Sequence, residues 1–328
     1  MSKKTVIGAS TKMTFGAAAV VLLFVAAPVS AEFRLERRLA LEAKGIFALE
    51  ADGGSVVLTG DSTSGALVTI TSRRDDIDRF YDFQFAESAG SVRVTAKRRG
   101  LTGFLFGGWL GASPRFVVHV PRTTAIDINT SGGPITASGL AANARVRTSG
   151  GPIDIADIEG NVDGHTSGGP IDLRKIAGNV IAHTSGGSIE ITDVGGNARV
   201  DTSGGPIDID GVTGDLYADT SGGGVDIRRA GGRVEAHSSG GPVSVGFATG
   251  NSRGGILSTS GGGVHAEIDP AVKLSIDAST SGGGVTSDVP VTTVGAISRQ
   301  ALRGDINGGG ALLRLRSSGG GIRISAVR

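Results

Sequence analysis

The sequence predicts an all-β fold: a parallel β-solenoid of two facing sheets, with about 18 residues per coil and a β-rich cap at the N-terminal side. Three observations predict it. The phrase Thr-Ser-Gly-Gly, followed by Pro, Gly or Ser and then Ile or Val, recurs with its Ser at positions 131, 149, 167, 185, 203, 221 and 239, each 18 residues after the last, with Ser238 in place of Thr in the final copy. A fixed period of this length marks stacked units that bury their apolar faces against one another. Within each unit, apolar residues alternate with polar ones over short runs, as Ile153 and Ile155 do around Asp154, which is the period of a half-buried strand. Finally, Gly makes up 56 of 328 residues and sits at fixed repeat positions, so the glycines are turn residues.

One unit can be read residue by residue. From Thr148 to His165, Gly151 and Gly160 stand nine apart, as do Ile153 and Val162. Each coil therefore divides into two unequal halves, each a Gly turn followed by a short strand. The turn glycines are Gly132 and Gly133, Gly150 and Gly151, Gly168 and Gly169, Gly186 and Gly187, Gly204 and Gly205, and Gly222 and Gly223. Pro152 falls at a strand start, where its missing N–H is tolerated. Ile153, Ile171, Ile189, Ile207 and Val225 continue one inner column. At roughly 4.8 Å per coil, about ten coils would extend some 50 Å. Either Thr or Ser of the repeated phrase could face inward as a stacked hydroxyl column, a structural role. Looser copies follow at Ser260, Ser281, Asn307 and Ser318, which implies bulged coils and a closing segment, with Gly321 to Ser325 as the last strand.

Residues 1–31 read as a signal peptide. Lys3, Lys4 and Lys12 supply the basic start, Phe15 to Val29 the apolar run, and Val29-Ser30-Ala31 a small-residue cleavage pattern. Residues 32–120 form the capping region and 121–328 the solenoid of Thr-Ser-Gly-Gly repeats. Eight of the 11 Phe lie between Phe33 and Phe116, so the capping region carries an aromatic core and the repeats an aliphatic one. Strand-like alternation marks Ser55–Leu58, Leu67–Ile70, Ser91–Ala96, Phe116–Val120 and Ala125–Ile128, whereas Phe33 to Ala43 fits a strand or a short helix.

Composition excludes several classes. The formal charge of +1 becomes −2 when the three signal lysines are removed (1 − 3 = −2), so neither nucleic acid nor a polybasic membrane contact is expected. With no Cys, disulfide staples and a lipid anchor on Cys are both excluded. No segment after the signal is long and apolar enough to span a membrane.

Five consecutive units place an acid at the outward strand position: Asp154, Asp172, Glu190, Asp208 and Asp226. A stack makes these a column of carboxylates, which could bind cations or bases. The plainer reading is a solvated face eased by Arg174 and Arg228. A calcium β-roll, whose paired nonapeptides also sum to 18, requires Gly-Gly-x-Gly-x-Asp in both turns, and this chain lacks it. Arg147, His165, His183, Asp201, Asp219 and His237 precede each Thr or Ser and could hold Zn²⁺, but read more simply as polar strand ends. Gly250-Asn-Ser252-Arg-Gly254 matches a hydrolase string without the strand–elbow–helix context that string needs. Phe104, Phe106 and Trp109 form an apolar cluster that serves either as a contact loop or as core.

The run from Gly45 through Asp52-Gly-Gly-Ser55 to Gly60, then Phe116 to Pro121, then serial Thr-Ser-Gly-Gly-x-Ile units resembles the bacterial exported β-strand-repeat family described as candidate adhesins, akin to head-GIN domains. The resemblance covers about residues 45 to 328. It implies an exported parallel solenoid and carries over no catalytic residue, metal site or cofactor. The expected function is therefore a non-enzymatic, adhesin-like or envelope scaffold that meets an unknown protein or glycan partner at the periplasm or cell surface. The alternative is a periplasmic stress or signalling accessory; less favoured is a polysaccharide-acting enzyme, because uniform coils between Thr130 and His237 leave no room for cleft-building loops.

Overall fold

The computed structural model describes residues 32–100, 113–293 and 298–327. The signal peptide, and the cluster of Phe104, Phe106 and Trp109, lie outside these residues. Two sheets of 14 and 15 strands enclose one apolar core. In the regular part each coil gives a six-residue strand to the first sheet and a five-residue strand to the second. Ile153–Ile158 is followed by Val162–Thr166, then Ile171–Ile176 and Val180–Thr184. Every pairing there is parallel and offset by one repeat, such as Ile153 with Ile171 and Val162 with Val180. The inner column expected from the sequence is buried throughout: Ile153, Ile171, Ile189, Ile207 and Val225 are at most 2% exposed.

The Thr of each phrase faces inward, and the Ser faces out. Thr184 is fully buried; its Oγ1 donates to the Gly169 carbonyl of the previous coil at 2.9 Å and accepts from the Gly187 N–H of its own turn at 3.3 Å. Thr148, Thr166, Thr202 and Thr220 repeat the same pair of bonds, each tying two coils together.

A second ladder runs along the opposite turn. Asn143, Asn161, Asn179 and Asn197 each use the side-chain Oδ1 to accept the backbone N–H of the matching residue one coil on, at 2.8–2.9 Å. Asp215 continues it to the Arg233 N–H.

The six-residue strands hold an extra outward residue that turns the next apolar side chain back into the core. It adopts positive φ at Gly139, Asp157, Lys175, Asp193, Gly211 and Arg229, an 18-residue series in which only two members are glycine. An L-residue there costs roughly 1–2 kcal/mol, part of which glycine returns through its freer unfolded chain. Lys175→Gly is therefore expected to stabilise by up to about 1 kcal/mol, read as a rise in melting temperature. Ala156→Gly, one residue from the same bulge in the preceding coil, is expected to lower it.

Both ends depart from sequence order. Strands Ile46–Ala51 and Ser55–Ser62 sit inside the stack, between Ser91–Arg98 and Arg115–Pro121 on one side and Ala125–Thr130 and Ile135–Leu140 on the other. Antiparallel strands then cover this end: Tyr81–Ser88 in one sheet, Ala66–Ser72 and Phe33–Leu39 in the other. The ambiguous segment after Phe33 is thus an edge strand, and its outward Arg34, Glu36, Arg37 and Arg38 discourage further pairing. Among the described residues the helical structure is a 3-10 turn at Ile77–Arg79.

At the other end the sequence expectation needs correction. Ile322–Ala326 comes last in the chain, but it lies between Val264–Ile268 and Val285–Ser287 rather than closing the stack. Asn307 does not occupy a coil turn. It sits in the connection after the antiparallel strand Ala301–Ile306, where its Nδ2 donates to the carbonyls of Pro270 and Val272.

Candidate functional site

The core is closed to solvent, and among the described residues the two outer faces carry the exposed side-chain columns. On the first sheet the five acids stack in register, Asp154 beside Asp172, Glu190, Asp208 and Asp226 in turn. Like charges at this spacing repel by about 1 kcal/mol per pair in water, and arginines relieve the two ends. Arg174 bridges Asp154, at 2.8 Å, and Asp172. Arg228 holds Asp226 at 2.5 Å. The carboxylates push both guanidinium groups further toward the charged form; Coulombic attraction to Asp172 leads for Arg174, and the Asp226 hydrogen bond for Arg228. Glu190 and Asp208, the exposed centre of the column, make no ion pair with a described residue.

Beside this column runs the bulge row. Arg229 reaches Asp193 at 3.1 Å and Asp210 at 2.6 Å, and its hydrogen bond holds the Asp210 carboxyl below the ordinary range. A shallow groove of about 780 Å³ follows the row, lined by Lys175, Asp193, Val194, Val212, Thr213 and Arg229 among others.

The second sheet carries a mixed face. Arg147, His165, His183, Asp201, Asp219 and His237 stack in register, and the His165 and His183 rings lie 5.7 Å apart. Among the described residues no group of three or more His, Asp or Glu side chains converges as metal ligands would. Adjacent to this column, the Arg199 guanidinium lies 4.2 Å from the centre of the Tyr217 ring, which also meets His237 edge-on at 6.1 Å. Partial burial, with Asp219 and Asp201 nearby, pushes the Tyr217 phenol up. This cation–π pair is a feature that sequence reading missed; the signal was a Tyr one repeat after an outward Arg.

Two further constellations also escaped it. His119 Nδ1 meets Asp61 at 2.8 Å beside a cleft of about 850 Å³ lined by Arg38, Ser62, Thr63 and Leu67 among others. At the opposite end Asp277 gathers Arg316 at 2.5 Å, Arg303 at 3.3 Å and Arg314 at 3.6 Å. The Arg316 hydrogen bond holds the Asp277 carboxyl below its usual range. A depressed folded pKa contributes stability above the unfolded value near ~3.9 and loses it as pH falls through the folded value. Asp277→Asn should therefore cost about 1–3 kcal/mol at neutral pH and flatten the loss of melting temperature on acidification below that value.

The hydrolase-like string at Gly250 to Gly254 is structural. Asn251 is buried and donates to the carbonyls of Ala230 and Gly232, plugging the wider coil, with no helix following.

The arrangement defines a class: an all-β repeat protein of solenoid type, whose ladders hold the interior and whose outer faces are flat. Residues 55–325 match the family model described as Toastrack DUF4097, and the chain belongs to that family. No curated protein matches it. Solved structures similar to it include a proposed adhesin from Bacteroides fragilis, at 12% identity over 90% of this chain and 97% of that one with a TM-score of 0.36. Others are a proposed lipid-binding protein from Parabacteroides distasonis (14%, 92% and 98%, TM-score 0.37) and a proposed cell adhesion protein from Clostridium sporogenes (8%, 90% and 100%, TM-score 0.23). Similarity at this level carries nothing about ligand or partner. Among the described residues no helix is long and apolar enough to cross a membrane.

Proposed function

We propose that the protein is an exported, non-enzymatic scaffold that presents its repetitive outer faces to a protein or glycan partner at the cell envelope. The observation that carries this reading is the uniformity of the coils from Thr130 to His237. Each adds the same two short strands and tight turns, and no loop rises from them to wall off a catalytic cleft. Flat, periodic faces suit shallow contacts repeated along a partner, where many weak contacts sum through effective concentration. Export rests on the signal-like residues 1–31.

Protease treatment of intact host cells, with a lysed control, tests the placement. Digestion on intact cells supports a surface scaffold and directs binding assays to matrices, glycans and other cells. Protection until lysis would remove the surface reading and leave the periplasmic accessory.

A further inference from the structure

The last coil of the chain is inserted out of order. Ala311–Ser317 lies between Gly255–Thr259 and Leu274–Thr280 and pairs parallel with both; Ile322–Ala326 does the same between Val264–Ile268 and Val285–Ser287. To get there the chain steps over the end of Leu274–Thr280, since Ala301–Ile306 pairs with the far edge of that strand. The step is made by Asn307, Gly308 and Gly309, three consecutive left-handed residues with φ of 52°, 87° and 80°.

We propose that residues 311–326 form an exchangeable coil, and that the slot they fill accepts the same segment of a second copy of this chain, joining two copies by swapped C-terminal coils. Exchange conserves every contact of the slot. Leu313, Leu315, Ile322 and Ile324, all at most 1% exposed, return to identical surroundings. Ser317 Oγ again donates to the Gly262 carbonyl, and Thr280 Oγ1 to that of Gly320. When the coil leaves, Leu274–Thr280 keeps its antiparallel partner, and its pairing to the rest of the stack, which runs through Ala311–Ser317, is remade by the exchanged coil.

The two flanking coils also match one another, which eases departure of the coil between them. Thr259-Ser-Gly-Gly-Gly-Val264 and Thr280-Ser-Gly-Gly-Gly-Val285 stand 21 residues apart, the spacing at which Ser238 pairs with Thr259 and Val243 with Val264. An emptied slot therefore has a transient in-register closure available instead of bare strand edges. A short hinge joined to an element that fits equally well in either copy is the condition for domain swapping.

The chain has no Cys, so single cysteines report cleanly. Ser318 stacks beside Ser260 on one side and Ser281 on the other. Full-length Ser260→Cys and Ser318→Cys proteins with different tags are mixed at the denaturation midpoint, returned to buffer and oxidised. Exchange predicts disulfide-linked heterodimers, joined between positions 260 and 318, several-fold above a Ser149→Cys plus Ser167→Cys mixture, whose positions stack mid-chain. No excess over that control, with the Ser260→Cys/Ser318→Cys double variant closing within one chain, overturns the proposal.

Discussion

Gly169→Ala is expected to unfold or severely destabilise the stack, whereas Gly168→Ala in the same turn is expected to be tolerated. A Cβ at position 169 would fall 2.1 Å from the Gly151 carbonyl oxygen and 2.4 Å from its carbon, both backbone atoms of the previous coil. The neighbouring coil cannot yield, because it is packed just as closely on the coil before it: a Cβ on Gly151 would fall 1.9 Å from the Gly133 carbonyl oxygen. Relief requires prising two coils apart, with loss of ladder bonds and core contacts, so a cost above about 4 kcal/mol is expected. At position 168 the nearest backbone atom would be 3.7 Å away, an ordinary contact. Urea midpoints of the two variants, measured side by side, check this. Equal midpoints would mean that the coils are not stacked in this register.

Thr184→Val is expected to cost about 1–3 kcal/mol, although it replaces one β-branched side chain with another of the same shape. The lost hydroxyl is the donor to Gly169 and the acceptor for Gly187, in a site closed to water. Thr184→Ser keeps both bonds and should retain most of the stability. Ser185→Ala, on the exposed neighbour, should fall within about 0.5 kcal/mol of the parent. The contrast between positions 184 and 185 separates the inward hydroxyl from the outward one. A silent Thr184→Val would show that the stapling bonds add nothing net.

Much of this architecture was legible in the sequence because the repeat is exact where geometry is strict. Ile153, Ile155 and Val162 announced both strands of a coil, and the 18-residue step announced their register. What sequence could not rank was the members of each turn. Both glycines of a pair recur equally, yet the second lies hard against backbone in every coil, while the first has room at Gly168 and closes on backbone only by Gly222. Thr and Ser recur together, and only the inner packing distinguishes them. The Asn143 to Asn197 series was visible as a period but not as a ladder, since its bonds run from side chain to the next coil's backbone. The bulge row was hidden for another reason: Asp157, Lys175, Asp193 and Arg229 share a backbone conformation and not a residue type.

The terminal coils were misplaced in sequence terms because intercalation is a non-local choice. Nothing near Ile322 states that Val264 and Val285 will flank it. Of the candidate sites, the acid column is assembled as the spacing required, but Arg174 and Arg228 neutralise its ends, which concentrates the open charge at Glu190 and Asp208.

The interior specifies the fold, and the outer faces are left free to work. The most direct test compares the parent protein with Asp172→Asn/Glu190→Gln/Asp208→Asn for binding to isolated host envelopes, alongside thermal melts. Loss of binding at a melting temperature close to the parent's is the predicted result, since like-charge repulsion is removed and Arg174, which loses Asp172, keeps its pair with Asp154. Undiminished binding by the variant would contradict a working role for this face, and a large loss of stability would contradict the division itself.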